Sequence, residues 1–307
     1  GGVLASCIGL CTTPLALIAV IFFAGLSSSG FHPIAGGMLP SVTPKNKSIL
    51  ATSVFIVFGN VGFAVAPFIT ALYIEHFSKE ELAYLSLIPC LTALLLLQRG
   101  LCTHRIKADT GQNLSLRKIL KNKAFLYLVI SIGCRSIIYC SMVTYIPLLL
   151  TSKGISSVVA SSILTVMLIG TAFGGFMVGG IAQKFKPKTV IAISYLGVLA
   201  ALILFLSLAD GSLVSFIAVF TLGFFLYGST PIAIVCAQKL LPDADSFATS
   251  MMLGFTFGIG YLCCIAVGLL GDLTGLLSAL WISGIIGIAL ILSISTGVNH
   301  YILNIQK

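Results

Sequence analysis

Residues 124–150 read AFLYLVISIGCRSIIYCSMVTYIPLLL, an apolar run that holds one charge, Arg135, and no Asp or Glu. The run is long enough to cross the hydrocarbon core of a bilayer as a helix. A cation at the centre of such a helix costs roughly 2.5–3.5 kcal/mol on insertion scales. It persists where it faces a watery cavity or an anionic partner, so Arg135 is the first pointer to function.

The rest of the chain is built for the same solvent. Hydrophobic residues make up 58% of 307 and charged residues 8%, and mean hydropathy is +1.13. A soluble domain carries about a quarter charged residues. Apolar runs of spanning length recur over 14–38, 49–74, 82–97, 124–150, 158–182, 189–208, 213–236, 247–270 and 275–296, with residues 1–13 reading as the tail of one more. Backbone groups in lipid must be satisfied within the segment, so these runs are expected to be helices. The expectation is an all-α, multi-pass membrane protein.

Basic residues collect in alternate connections. One side holds Lys45, Lys47, Arg99, Arg105, Lys107, Arg117, Lys118, Lys121, Lys123, Lys184, Lys186, Lys188, Lys239 and Lys307, while the other holds Lys79 and Lys153. The positive-inside rule places the richer side, with the long central loop and the C-terminus, in the cytoplasm of a cell whose inner membrane holds the chain. The net charge of +9 follows from this asymmetry and signals no nucleic-acid partner. Domain organisation follows from the longest polar segment: a partial N-terminal bundle over 1–97, a cytoplasmic linker over 98–123, and a C-terminal six-helix bundle over 124–307. Six spans after the linker, against three and a fragment before it, suggest that two front helices lie outside this sequence, since transporters are commonly built from repeated halves. Within the linker, residues 114–123 set Arg117, Lys118, Lys121 and Lys123 around Leu116, Ile119 and Leu120, the pattern of a basic amphipathic helix on an anionic leaflet.

The nine cysteines have no zinc-binding spacing and read as small apolar residues. No cofactor or metal is expected, and a monomer is the expected state. Polar residues inside the spans are few. Tyr127, Ser131, Arg135 and Tyr139 recur every four residues and are expected to share one helix face. Ser28 and His32 are four apart, and Pro33 is expected to break its helix locally. His32 fits either a packed neutral imidazole or a ligand or proton carrier. Asn60 lies between Gly59 and Gly62, ahead of Pro67, and Thr256 and Tyr261 add candidates in a later span. A hydrogen bond to a neighbouring helix accounts for Asn60 and Thr256 as well as a binding role does. Gly170 with Gly174, Gly175 with Gly179, and Gly254 with Gly258 carry the small-residue spacing of closely packed helices. A membrane enzyme would need a convergent nucleophile and base, which one span histidine and no span carboxylate do not supply.

Three stretches carry a resemblance: GLSSSGFHPIAGGM at 25–38, TSVFIVFGNVGFAVAPF at 52–68, and AQKLLPDADSFATSMMLGFTFGIGYLCC at 237–264. They resemble the major facilitator superfamily, and within it the fosmidomycin-resistance type of exporter, through Phe31-His32-Pro33 and the Gly59-Asn60-Gly62 element. The resemblance implies a two-bundle carrier that works by alternating access and exports a small drug-like or anionic metabolite against protons. Gly62 to Pro67 resembles an antiporter motif, with Ala66 in place of its second glycine. The loop from Gly180 through Lys184 to Lys188 resembles a cytoplasmic gating loop, with Gln183 where Asp and Lys186 where Gly would stand. The family commonly has an acidic residue after the histidine-proline pair, and here it is Ile34. The coupling group is then a residue outside this sequence, or His32, or absent. Arg135, Tyr127, Ser131 and Tyr139 are expected to bind substrate opposite His32 and Asn60, with Gly62, Pro67, Gly180, Lys184, Lys188, Gly254 and Gly258 serving gating and packing. Uptake of a small organic anion, or a truncated nonfunctional carrier, stays open beside export.

Overall fold

Every apolar run read from the sequence becomes helix, although three of the nine are interrupted or change pitch. The computed structural model describes residues 1–42, 48–99, 119, 122–181, 187–241 and 245–302, without strands among them. The helices are α1 (Gly2–Ser6), α2 (Pro14–Val42), α3 (Ser48–His76), α4 (Leu87–Gln98), α5 (Lys123–Ser152), α6 (Ser157–Ile181), α7 (Pro187–Leu208), α8 (Leu213–Gly228), α9 (Thr230–Leu240), α10 (Asp245–Ser250), α11 (Thr256–Thr274) and α12 (Leu276–Ile302). Among the described residues, six helices are long and apolar enough to cross a membrane by length and composition.

The chain divides into two compact units, Gly1–Gly62 with Phe68–Asp109, and Phe63–Pro67 with Thr110–Lys307. In the first, α2 runs through Pro33 without the expected break. A proline removes one backbone bond, and membrane helices tolerate that loss. The run at 82–97 departs from a single helix: Lys79–Ser86 is a 3-10 turn and α4 starts only at Leu87. Pro89 has no N–H to give the Leu85 carbonyl, so a regular α-helix cannot pass from one segment into the other with all its bonds. The linker residues around Ile119 lie outside the described set. Ile119 itself is buried, in a cluster with Phe125, Leu128 and Ala237.

In the second unit α5 is the central helix. Its span is 72% buried, against 22% for the span that contains α11. Asn122 caps it, accepting from the Phe125 N–H at 3.1 Å and donating to the Leu240 carbonyl at 2.9 Å. The apolar interior forms two clusters, and α5 crosses both. Phe125, Leu128, Val129 and Ile132 pack with Ala233, Cys236, Ala237, Ala248 and Met252 of the α9–α10 region. Farther along, Ile138, Met142, Ile146 and Leu150 belong to a cluster that residues of α6, α7, α8, α11 and α12 complete, and α11 and α12 are the helices that lie most extensively against α5. The change falls between Ile132 and Cys134, beside the buried polar residues Ser131, Arg135 and Ser136.

Helices α6 and α8 meet backbone to backbone. A β-carbon on Gly170 or Gly174 would collide with the Phe220 or Phe224 carbonyl, and one on Gly223 with the Met167 carbonyl. The expectation for Gly254 and Gly258 is not met: no described neighbour lies within 4 Å of a β-carbon at either position, nor at Gly62. Gly254 lies in the Met251–Phe255 turn before α11 and Gly258 in the first turn of α11, and both are exposed.

The turn between α7 and α8 is held by Asp210. Its Oδ1 accepts from the Ser212 and Ser215 hydroxyls, each at 2.6 Å, and from the Ser212 N–H at 3.1 Å. The Ser212 and Ser215 hydroxyls, followed by the Ser212 backbone, hold its carboxyl below the ordinary aspartate value. A depressed folded value means that the stabilisation is complete above the unfolded pKa of about 3.9 and is lost as pH falls through the folded value. Asp210→Asn should therefore melt at a lower temperature than wild type at pH 7. The gap should close as the melts are repeated below about pH 4.

Candidate functional site

The candidate site is built on α5, whose depth in the unit follows from apolar residues on nearly every side of it. Arg135 lies at its middle and is 1% exposed. The sequence reading expected this guanidinium to line a watery cavity; the structure encloses it. Its Nη1 donates to the Leu226 carbonyl at 2.9 Å and also to the Thr230 hydroxyl. Its Cζ lies 5.5 Å from the centroid of the Tyr227 ring, a cation–π distance. Nε is buried and has no hydrogen-bond partner. Among the described residues no carboxylate pairs with it, and the one ion pair found there is Lys79 with Glu80.

The acceptors exist because the run at 213–236 is not one helix. It stops at Gly228 and restarts at Thr230. Gly228-Ser229-Thr230-Pro231 joins a flexible end residue, a favoured N-cap type and a proline whose missing N–H costs nothing in a first turn. A helix that ends leaves its last carbonyls without partners inside it. Leu226 is one of these, and Arg135 takes it. The Ser229 hydroxyl is buried beside this junction without a partner.

Of the four-residue series, the structure brings three members into the interior. Ser131 pairs with Tyr195 of α7, oxygen to oxygen at 3.3 Å. Tyr139 is 6% exposed and joins an aromatic group, edge-on to Phe257 at 5.4 Å and tilted to Tyr227 at 6.0 Å. Tyr127 is 37% exposed and lies off this face. Steps of four overshoot a helical turn by about 40° each, so Tyr127 and Tyr139 point about 120° apart. The regular spacing concealed that drift.

His32 and Asn60 belong to the first unit. Asn60 is half-buried on α3, and Pro67 lies inside the same helix. The side chain of His32, the surroundings of Gly180 and Lys188, and Lys184 lie outside the described residues. Thr256 fills a local role. A π turn over Met251–Phe255 directs the Thr256 N–H to Met251, and its hydroxyl donates to the Met252 carbonyl at 2.6 Å. Tyr261 is 46% exposed. Sequence reasoning missed Leu226, Tyr227 and Thr230, the residues that hold the guanidinium; the stop and start at 228–231 was the available signal. It also missed Tyr195 and Phe257, for which no local signal exists.

Comparison with known proteins gives this arrangement its context. The model of the Major Facilitator Superfamily matches residues 1–262. The chain is 28% identical over 268 residues to the fosmidomycin resistance protein of Escherichia coli K12, covering 85% of this chain and 65% of that one. It is 27% identical over 281 residues to YfnC, an uncharacterized MFS-type transporter of Bacillus subtilis 168, covering 88% of this chain and 68% of that one. The chain thus spans about two thirds of the length of these relatives. Over 142 residues it is 30% identical to the 3-(3-hydroxy-phenyl)propionate transporter of Escherichia coli K12, covering 45% of this chain and 31% of that one. Among solved structures, the Escherichia coli fucose:proton symporter aligns with a TM-score of 0.64 at 16% identity, over 97% of this chain and 80% of that one. A bacterial homolog of the human lysosomal transporter Spinster aligns with a TM-score of 0.66 at 12% identity, over 96% and 78%. These two likenesses concern the fold.

Proposed function

Because the chain belongs to the Major Facilitator Superfamily, a family of secondary transporters rather than enzymes, we propose that it exports a small anionic metabolite or drug, by alternating access and in exchange for protons. The observation that carries this reading is a buried guanidinium with no carboxylate partner among the described residues and an unpartnered Nε. Neutral acceptors leave such a charge uncompensated, and a substrate anion would complete it through charge-assisted hydrogen bonds. Tyr139 and Tyr227 supply an aromatic flank for the substrate's apolar body, and Ser131 adds a hydroxyl at the same level. The likeness to a fosmidomycin resistance protein supports the same choice, since fosmidomycin is a phosphonate and guanidinium groups suit phosphonate oxygens. His32 and Asn60 are proposed as contributors from the first unit, with His32 as the proton carrier. Lys184, Lys188 and Gly180 are proposed to serve gating, with the chain acting as a monomer in the inner membrane.

A second reading, uptake of a small organic anion, is favoured by the likeness to a propionate-derivative transporter over part of the chain. Flux in membrane vesicles of known orientation separates the two. With fosmidomycin as probe and an imposed proton gradient, export predicts accumulation in inverted vesicles that collapses when the gradient is dissipated. Accumulation in right-side-out vesicles alone favours uptake. No flux in either orientation removes both.

A further inference from the structure

We infer that Thr230 is a positioning residue for Arg135, and that the two form a pin across the interruption between α8 and α9 which a bound anion displaces. The inference rests on the reading of Arg135 as an anion ligand, but its structural part stands on separate observations. Leu226 lies before the interruption and Thr230 after it, and one nitrogen, Nη1, donates to both. Its two hydrogens are thereby committed, while Nε remains buried and unpartnered.

The interruption coincides with the level at which the interior changes partners. Residues of α9 and α10 pack with the first turns of α5. Ala218, Val219, Leu222 and Leu226 of α8 belong to the other cluster. The π turn at Met251–Phe255 interrupts the neighbouring path between α10 and α11. Two layers therefore meet where two of their connecting segments lack regular α-helical bonding, while α5 runs unbroken through both. Arg135 projects from that unbroken helix and ties the two sides of the α8–α9 junction together. An anion that engages Nε competes with the Leu226 carbonyl and the Thr230 hydroxyl for one delocalised charge. Drawing the guanidinium toward the anion loosens both Nη1 bonds and frees α9 to tilt against α8. Substrate binding and movement of the α9–α10 layer are in this way one event.

Thr230→Val removes the hydroxyl and keeps the side-chain shape; Thr230→Ser restores the hydroxyl. The full chain is reconstituted, backbone amide exchange is followed over residues 227–236, and fosmidomycin binding and flux are measured on the same preparations. In Thr230→Val, exchange at the junction should speed up about fivefold without ligand, the loss of one buried hydrogen bond. Fosmidomycin should bind severalfold more tightly, because one competing acceptor is gone, while the maximal flux falls. Thr230→Ser should return all three values toward wild type. Wild-type exchange in Thr230→Val overturns the pin, and weaker fosmidomycin binding in that variant overturns the competition. If wild type binds fosmidomycin and Thr230→Val matches it in every measurement, this inference fails and the proposed function stands. If wild type binds none, the competition and the proposed function fail together, and the exchange rates of Thr230→Val alone decide the pin.

Discussion

On the proposed role of its guanidinium, Arg135→Ala should reduce fosmidomycin flux in vesicles about 100-fold, the equivalent of about 3 kcal/mol for hydrogen bonds to a charged group. The variant also leaves the Leu226 carbonyl and the Thr230 hydroxyl without their donor, so its thermal stability should fall by about 1–3 kcal/mol. These two effects need separate measurement: flux per correctly folded molecule, taken from monodisperse protein, and the melting temperature of the same sample. Arg135→Lys sharpens the result. An ammonium is a compact point charge without the planar fork of a guanidinium, so it can donate to the Leu226 carbonyl and the Thr230 hydroxyl but cannot offer an anion a bidentate pair. It should therefore recover much of the stability and little of the flux. A lysine variant that transports as wild type does would sink the requirement for a bidentate guanidinium at this position. An alanine variant that is stable and active would sink the structural role as well.

The fold was largely legible because lipid imposes one strong constraint, and hydropathy reads it directly. Each apolar run became helical, but nothing in the runs marked the Arg135 segment as the most buried of the six candidate spans. Hydropathy is blind to the interruption at Ser229, since Tyr227 and Ile232 are apolar on either side of it and the break is a matter of backbone bonding. Residue types at 228–231 encode it locally. The partners of Arg135 were a different problem. Leu226 and Thr230 are 91 and 95 residues away in the chain, and no periodicity along α5 specifies what stands across from it. Spacing also says which residues share a face without saying what that face meets. Gly170 with Gly174 and Gly254 with Gly258 have the same interval, yet one pair abuts the backbone of α8 and the other has open space.

That contrast yields the second large effect. Gly174→Val should abolish recovery of folded protein, and Gly174→Ala should cost about 3 kcal/mol, the upper end for overpacking. The obstacle at Gly174 is the Phe224 carbonyl, part of a helix backbone that no rotamer change can move aside. The seam is reciprocal, with Gly223 of α8 set against Met167 of α6, so each helix presents a glycine to the other's backbone. Phe173 and Phe220, 6.1 Å apart, add to the same seam. Gly258→Ala, by comparison, gains a helix former with nothing described to strike and should be neutral or stabilising by up to about 1 kcal/mol. Thermal melts of the two alanine variants decide the matter: a Gly174→Ala protein as stable as wild type would mean that α6 and α8 slide rather than lock. If instead Gly174→Ala is crippled and Gly258→Ala is stable but slow in flux, the α6–α8 seam is a rigid part of the carrier and the open face of α11 is where it moves.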